Sequence, residues 1–330
     1  MHRITFTSLQ KTIKKFPTAH ILVVGDIIMD KYIWGRVTRI SPEAPVPIVN
    51  VNKETFCWGG AANVANNVEC LGGQVSLSGV IGRDRVGEHL LDELHRKNID
   101  CSAIIKSTRR PTTLKTRIIA HSQQVVRVDY EVKDELQPAT TTRLISKLNA
   151  IIPQAQAVVI SDYAKGVVGP DLIQEIINMA HRVKIPVVVD PQVTHFQHYK
   201  KVSVITPNHH EASRMSRIQI TDEASLIEAG QHLLNLLDCE AVLITRGEEG
   251  MTLFEGTEYC HIPTMAQEVY DVTGAGDTVT GVFALALAVG SSYKEAALLA
   301  NHAAGVVVAE VGTASLRPNE LIEAVQRSFS

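Results

Sequence analysis

The chain has 330 residues, of which 45% are hydrophobic and 20% charged, with a formal net charge of −3 at pH 7. This length and composition predict a sizeable core, and the lack of a basic surplus argues against a nucleic-acid-binding surface. The five cysteines form no C-x-x-C pair, and there is neither a signal-like N-terminus nor a run of 18 apolar residues. We therefore expect a cytoplasmic protein without a disulfide framework, a zinc site, a nucleic-acid partner or a membrane partner.

Short apolar, β-branched runs recur along the chain and predict buried strands. Segments with helical spacing of apolar residues lie between most of them, and this alternation is typical of a mostly parallel sheet flanked by helices, an α/β fold. The predicted strands are 21–25, 75–80, 157–160, 186–189, 202–205 and 241–245, and helical spacing is clearest over 61–71, 90–94 and 172–180. Residues 276–289 and 293–310 are predicted to be helices packed on the sheet.

Two stretches, 31–58 and 110–131, break this alternation and have an extended, turn-rich character. Both are too long for ordinary structureless connections, so we predict a small β-sheet that serves as a lid, with surface loops as the alternative. No interdomain linker is evident. The sequence thus predicts one domain over 1–330 with the lid segments inserted in it.

The segment Thr273-Gly274-Ala275-Gly276-Asp277 places small residues where a helix begins. Backbone N–H groups are free at such a terminus and, aided by the helix dipole, predict a phosphate site. Asp277 could either cap the helix or accept a proton from a substrate hydroxyl, and the segment alone favours capping. The motifs G-x-x-x-x-G-K-[ST], G-x-G-x-x-G and G-x-S-x-G are missing here, which argues against P-loop, dinucleotide and esterase sites.

A second glycine-rich segment, 59–63, opens another predicted helix. Gly59 and Gly60 would let a ligand approach the backbone, and Asn63 could bond sugar hydroxyls; a tight turn with helix-packing alanines is the alternative. Asp26 and Asp30 follow the first strand, at the edge where ligands bind in open α/β sheets. We expect Asp30 to hold sugar hydroxyls, with a solvated loop acid as the alternative.

Together the two glycine-rich segments resemble the paired signatures of the ribokinase-like (PfkB) carbohydrate kinases, over nearly the whole chain. The resemblance implies a ribokinase-like fold, ATP and Mg²⁺ as cofactors, and Asp277 as catalytic base. The backbone of Gly274, Ala275 and Gly276 would form an anion hole for the transferring phosphoryl group. The resemblance also implies a homodimer through the lid strands and leaves a monovalent-cation requirement open.

The segment 206–211 is similar to the N-x-x-E element of the same family, in which Asn208 and Glu211 would help to place magnesium through water. Read alone, His209, His210 and Glu211 could suggest a metal cluster, but adjacent side chains diverge and a zinc site is not expected. No catalytic role is assigned to the two histidines. The resemblance implies a nucleotide-binding set of Asn208, His209, His210, Glu211, Thr245, Gly247 and Asn301.

Four further peptides, beginning at Gly25, Arg39, Ser161 and Ala266, resemble members of the family that act on heptose 7-phosphates. This narrower resemblance implies phosphorylation of D-glycero-β-D-manno-heptose 7-phosphate at C1, in the synthesis of ADP-heptose for lipopolysaccharide. No H-x-G-H nucleotidyltransferase signature occurs, so we expect the 1,7-bisphosphate as the only product.

A substrate with a 7-phosphate requires cations opposite the reacting end. Lys165, which follows a predicted strand, is the first choice among the basic residues available, which are Arg36, Arg39, Arg83, Arg85, Lys115, Arg117, Arg127 and Lys165. Three alternatives remain: a related kinase for another sugar or sugar phosphate, a non-catalytic sugar- or nucleotide-sensing protein, and a nicotinamide-dependent enzyme, which the glycine spacing disfavours.

Overall fold

The computed structural model describes residues 4–266, 269–310 and 314–329, and within them the strands form two sheets. The strands are β1 (His20–Gly25), β2 (Ile27–Ile40), β3 (Pro47–Gly60), β4 (Gln74–Gly82), β5 (Asp100–Ser107), β6 (Thr113–Ala120), β7 (Gln123–Tyr130), β8 (Ala157–Ser161), β9 (Val187–Asp190), β10 (Val204–Ile205), β11 (Ala241–Thr245), β12 (Met251–Glu255) and β13 (Glu258–Ile262).

The larger sheet has nine strands in the order β13-β12-β11-β10-β9-β8-β1-β4-β5. Its strands are parallel from β5 to β11, and only β12 and β13 run antiparallel at one edge. All six strands predicted from apolar runs are confirmed and are parallel neighbours in this sheet. The chain runs outward from β1 to β5 and then restarts on the other side of β1 at β8. Ligands bind at such a switch point in open sheets, beyond the carboxyl ends of the strands.

Helices cover both faces of this sheet, as the alternating pattern predicted. Alternate residues of β1 enter different cores: Ile21 and Val23 pack on one face, and Leu22 and Val24 on the other. Buried side chains on both faces explain why the strands are apolar throughout. The helices of the described residues are α1 (Phe6–Lys15), α2 (Ala61–Cys70), α3 (Arg85–Arg96), α4 (Pro138–Ile151), α5 (Pro170–Val183), α6 (His209–Ser216), α7 (Glu223–Leu237), α8 (Ala275–Ala288), α9 (Tyr293–Val307) and α10 (Pro318–Ser328).

The four-stranded sheet has the order β3-β2-β6-β7 and contains the two stretches that broke the alternation. The pairing of β2 with β3 extends from Ile40 and Pro47 back to Ile27 and Gly60, so the first stretch is a longer hairpin than 31–58. Because β2 begins two residues after β1 ends, the small sheet grows directly out of the ligand-binding edge of the large one.

The helices α8 and α9 correspond to the predicted segments 276–289 and 293–310. Most of α8 is buried, from Asp277 to Ala286, which explains why most of its residues are small or apolar on every side of the helix. Within the described ranges, no helix combines the length and apolarity needed to cross a membrane.

Candidate active site

The N-terminus of α8 forms the floor of the site. Gly274 adopts a left-handed conformation with φ of 80°, and this lets the chain turn into the helix at Ala275. The backbone N–H groups of Gly276 and Asp277 have no hydrogen-bond partner within the part of the chain that the structure describes. A side chain at Gly276 would point into open space. The helix therefore presents free donors to an open volume, as an anion site requires.

Asp277 lies in the first turn of α8 and is only 3% exposed, but its carboxylate does not cap the helix. Asn63 Nδ2 donates to Oδ2 at 2.7 Å, and the Tyr163 hydroxyl donates to Oδ1 at 2.8 Å. The capping alternative, which the segment alone favoured, is wrong because both oxygens are committed to side chains from elsewhere in the fold.

Burial raises the pKa of Asp277 from 3.8 to about 6. The hydrogen bonds from Asn63 and Tyr163 oppose this rise, the nearby carboxylate of Asp30 adds to it, and Lys115 lowers the pKa again. A carboxylate with such a pKa is ionised at neutral pH and is a stronger base than an exposed one, which suits proton acceptance.

Asn63 is held on α2 by the turn at Gly59 and Gly60. A side chain at Gly59 would collide with the Asp30 carboxylate, and Gly60 has a positive φ of 56° and no room beside the carbonyl of Asp26. Both glycines thus have a structural reason to be there. Asn63 is 1% exposed, and its Oδ1 has no hydrogen-bond partner among the described residues. A buried free acceptor beside Asp277 can receive a ligand hydroxyl.

Asp26 does not reach the ligand space, because its carboxylate holds the loop after β8. Its oxygens accept the backbone N–H groups of Tyr163 at 2.9 Å, Lys165 at 3.0 Å and Val167 at 3.1 Å. Burial raises the pKa of Asp26, and these three bonds oppose that rise. Asp26 therefore has a structural role in presenting Tyr163 to Asp277.

The small sheet turns one face towards Asp277. Residues that alternate along a strand, or lie opposite each other across strands, share a face. This places on one side a group that we term the charged face, which consists of Asp30 of β2, Lys115 and Arg117 of β6, and Arg127 and Asp129 of β7.

Cations dominate the charged face. Asp30 forms an ion pair with Arg117, while Lys115 makes no ion pair within the described ranges and lies 5.5 Å from the ring centroid of Tyr163. Burial lowers the pKa of Lys115; the carboxylate of Asp30 opposes this fall, and the charges of Lys165, Arg117 and Arg127 add to it. Arg117 and Arg127 are directly opposite each other, and each is paired with a carboxylate of the same face, Arg117 with Asp30 and Arg127 with Asp129 at 2.9 Å.

Lys165 lies near this face, but Glu131 already neutralises it. Its ammonium group is 2.6 Å from Glu131 Oε2, and its side chain is 13% exposed. Glu131 also pairs with Lys133 at 3.2 Å. Lys165 is thus less available than Lys115 to an incoming anion.

On the opposite side of the α8 N-terminus lies a cleft of about 590 Å³. Ala275 and Gly276 form its inner end, and apolar residues such as Val279 and Val308 line its wall. The predicted nucleotide-binding residues that line it are Asn208, His209, His210, Thr245, Gly247 and Asn301. The residues of this predicted set that lie in three separate segments, 208–210, 245–247 and 301, therefore do share one cleft.

Glu211 does not line the cleft, because it and Asn208 cap α6 reciprocally. Glu211 Oε2 accepts the Asn208 backbone N–H at 2.8 Å, and Asn208 Oδ1 accepts that of Glu211 at 3.0 Å. Asn301 also has a structural partner, since its Nδ2 donates to the carbonyl of Pro263 at 2.7 Å. Capping alone could account for the N-x-x-E spacing.

A concentration of carboxylates beside this cap fits a divalent cation. Burial raises the pKa of Asp190 well above its ordinary value, and the carboxylates of Asp277 and Glu211 raise it further. Hard cations such as Mg²⁺ prefer this kind of oxygen ligand. In the described ranges, no three acidic, histidine or cysteine side chains are close enough to hold a metal together.

Tyr163 and Asp190 were missed by the sequence analysis. Both lie at the carboxyl ends of strands, Tyr163 two residues after β8 and Asp190 as the last residue of β9. The rule that selected Asp26 and Asp30 after β1 would have selected them as well.

Comparison with known proteins gives consistent matches. The model of the pfkB family carbohydrate kinases matches residues 18–320. The bifunctional protein HldE of Geobacter sulfurreducens is 47% identical over 302 residues, which cover 91% of this chain and 62% of that protein. The chain thus spans less than two thirds of the length of this relative.

Two solved structures share the fold. The ribokinase of Arabidopsis thaliana, complexed with ribose and ATP, matches with a TM-score of 0.75 at 19% identity, covering 93% of this chain and 99% of that one. The phosphofructokinase-2 of Escherichia coli, in complex with substrates and products, matches with a TM-score of 0.77 at 18% identity, covering 94% and 99%.

Proposed function

The chain belongs to the pfkB family of carbohydrate kinases, and on that premise we propose that it uses ATP to phosphorylate D-glycero-β-D-manno-heptose 7-phosphate at the C1 hydroxyl. The product is the 1,7-bisphosphate, a precursor of ADP-heptose and the lipopolysaccharide core. One observation carries the proposal: a buried carboxylate at a helix N-terminus, Asp277, faces a sheet surface with three cations, of which Lys115 makes no ion pair in the described ranges. The peptides that resemble heptose 7-phosphate kinases and the similarity to HldE support the choice of sugar.

Asp277 accepts the proton of the sugar hydroxyl as the bond from oxygen to phosphorus forms. A pKa of about 6 leaves it ionised at neutral pH. The anion hole of Gly274, Ala275 and Gly276, with the dipole of α8, stabilises the negative charge that develops on the transferring phosphoryl group.

The sugar lies between α2 and the charged face. Asn63 Oδ1 accepts one hydroxyl, since this buried atom has no other partner in the described chain. Asp30 accepts another, and the backbone at Gly59 and Gly60 allows close approach. Closure of the small sheet as a lid over the ring excludes water, which otherwise competes as acceptor.

The cations of the charged face bind the 7-phosphate. Lys115 takes the place that the sequence suggested for Lys165, because Lys165 is paired with Glu131 while Lys115 makes no ion pair in the described ranges. Arg117 and Arg127 complete the subsite, because each guanidinium keeps further N–H donors for a phosphate besides those bonded to Asp30 and Asp129. Lys165 contributes at its edge.

ATP occupies the cleft on the other side of α8, with its γ-phosphate at Gly276. The apolar wall near Asn301 holds the adenine, and Thr245 and Gly247 lie along the phosphates. Asn208 and Glu211 would hold Mg²⁺ through water, and the ion would supply positive charge to the β and γ phosphates. Assays with and without potassium in the buffer measure whether a monovalent cation changes the rate.

The outer face of the small sheet supports a homodimer. It carries apolar side chains that are exposed in the single chain, with Val126 at 46%, Val128 at 41% and Tyr130 at 61%. A second copy that pairs its own outer face with this one would bury them and cover the β7 edge. We place this dimer in the cytoplasm, where ATP and sugar phosphates are available.

A substrate panel tests the proposed function. Release of ADP is measured with Mg-ATP and heptose 7-phosphate, the same heptose without its phosphate, fructose 6-phosphate and ribose. We expect kcat/KM to be highest for heptose 7-phosphate. Equal or better activity with ribose or fructose 6-phosphate would exclude this substrate.

The Lys115→Met variant links the selectivity to the charged face. We expect it to lose roughly ten- to a hundredfold in kcat/KM with heptose 7-phosphate and much less with the unphosphorylated sugar, because one charge-assisted bond is removed. Lys53→Met, an exposed lysine of the same sheet, is the matched control and should behave as wild type. An equal loss on both sugars would contradict the proposed phosphate subsite.

A further inference from the structure

Tyr163 has no assigned part in the transfer, yet its hydroxyl is bonded to the proposed base at 2.8 Å. We propose that Tyr163 is a positioning residue for the transfer, whose hydroxyl holds the Asp277 carboxylate in the orientation and ionised form that can accept the sugar proton. This inference rests on the proposed role of Asp277 and concerns a residue outside both substrate subsites.

The two hydrogen bonds to Asp277 come from different parts of the fold. Asn63 on α2 donates to Oδ2, and Tyr163 in the loop after β8 donates to Oδ1. A carboxylate bonded through both oxygens cannot rotate about its Cβ–Cγ bond without losing both partners. Each oxygen still has a second lone pair, and one of these can receive the sugar hydroxyl.

Tyr163 itself remains a donor throughout the reaction. Burial raises the pKa of its hydroxyl well above the ordinary value, and the negative charges of Asp277 and Asp190 raise it further. The phenol therefore keeps its proton near neutral pH. The sugar proton passes to Asp277, while the bond from Tyr163 stabilises the ionised carboxylate before the transfer.

The loop that carries Tyr163 is tightly held. Asp26 accepts the Tyr163 backbone N–H at 2.9 Å, and Asp162 Oδ1 accepts that of Ala164 at 2.8 Å. Lys115 covers the ring from the small sheet. Asp26, the loop after β8 and Lys115 of β6 thus hold the Tyr163 hydroxyl beside Asp277. A tyrosine that only packed at the surface would not need so many restraints.

Other charges also act on Asp277 and must stay constant in any test. Asp30 faces it from β2, Lys115 from β6 and Asp190 from the end of β9. Tyr163→Phe changes none of these charges and keeps the ring under Lys115. The variant removes only the hydroxyl, so any change in the pKa of Asp277 can be attributed to the loss of that hydrogen bond.

The decisive experiment is the pH profile of kcat/KM for Tyr163→Phe. Loss of one hydrogen bond to the charged carboxylate should move the acid limb, near pH 6 in the wild type, upward by about one pH unit. The rate at neutral pH should fall roughly tenfold, mainly in kcat, while the KM for ATP is unchanged. An acid limb at the wild-type position, with or without a uniform loss of rate, would overturn the inference.

Tyr199→Phe is the matched control, because the Tyr199 hydroxyl donates at 2.6 Å to a different buried carboxylate, that of Asp162. It should weaken the fold by a comparable amount but leave the acid limb in place. If both variants move the limb equally, a general loosening of the loop explains the result and the inference is wrong.

A measurement without turnover separates this inference from the proposed substrate. Protein labelled with ¹³C at the aspartate carboxyl carbons is titrated by NMR, and Asp277→Asn identifies the signal. We expect a midpoint near pH 6 in the wild type and a higher one in Tyr163→Phe. If the panel fails for every sugar while this shift is seen, only the proposed function is lost; an unshifted midpoint overturns the role of Tyr163.

Discussion

At the scale of single residues, Asp277 combines a chemical advantage with a cost to the fold. The protein buries this acid and supplies hydrogen bonds from Asn63 and Tyr163, yet the pKa still rises from 3.8 to about 6. Burial therefore raises the pKa of Asp277 by more than the two hydrogen bonds lower it. An ionised form that is unfavourable in the folded state is a better proton acceptor and a weaker contributor to stability.

Replacing Asp277 by Asn should therefore stabilise the protein while abolishing most of its activity. The folded-state pKa of Asp277 is higher than the unfolded one. The loss of folding stability caused by ionising this carboxylate therefore grows between pH 3.8 and about 6 and is fully present above that range. A shift of about two units corresponds to about 3 kcal/mol, so Asp277→Asn should unfold at higher urea concentration than wild type at pH 8 and equally at pH 4.

The control for this variant is Asp171→Asn, an exposed acid in the first turn of α5. It should be neutral or slightly destabilised at pH 8, because it loses only its interaction with the helix dipole. A wild type that is more stable than Asp277→Asn at pH 8 would show that the ionised carboxylate is not strained by burial.

Single residues also show where sequence reasoning ends. The glycine-rich segment identified Asp277 but favoured a cap, because the partners at Asn63 and Tyr163 come from distant parts of the chain. Lys165 was preferred because it follows a predicted strand in a peptide that resembles the heptose 7-phosphate kinases, and its ion pair with Glu131 depends on tertiary packing that the sequence does not show. Spacing along a sequence can identify a charged residue as a candidate for the site, but it cannot show which residue that side chain contacts in the fold.

At the scale of elements, the small sheet separates two surfaces by the alternation of its strands. The charged face lies over the site, and the outer face of β7 presents Val126, Val128 and Tyr130 to solvent. The extended pattern of 110–131 predicted strands. It could not indicate which face covers the site, because that depends on register with β2.

The exposed apolar residues on the outer face of the small sheet predict that the protein forms a homodimer. The chain should sediment with twice its mass of 36.1 kDa, and the double variant Val126→Lys with Val128→Lys should sediment as a single chain, because four charges would meet in the proposed interface. Val183→Lys, which changes an exposed valine at the end of α5, is the control and should stay dimeric. A wild type that remains a single chain at micromolar concentration would exclude the lid-mediated dimer.

At the scale of the whole molecule, the periodicity of apolar residues was sufficient for the α/β fold and for all six predicted strands. The ribokinase-like fold implied by the paired signatures is confirmed by the solved structures that share it. The strands β5, β12 and β13 of the larger sheet were not predicted; β5 and β13 form its two edges and carry exposed polar residues. The strand order, and with it the meeting of β1, β8 and β9 at the site, follows from tertiary packing that local patterns do not encode.

The central claim is transfer of phosphate from ATP to C1 of a heptose 7-phosphate by a site built on Asp277. Phosphorus NMR of the product tests it most directly. The account predicts that the wild type retains the 7-phosphate signal and adds one signal from a phosphate coupled to the anomeric proton, while Asp277→Asn forms it at least a hundredfold more slowly. A new phosphate on any other carbon, inorganic phosphate alone, or an undiminished rate in Asp277→Asn would contradict the account.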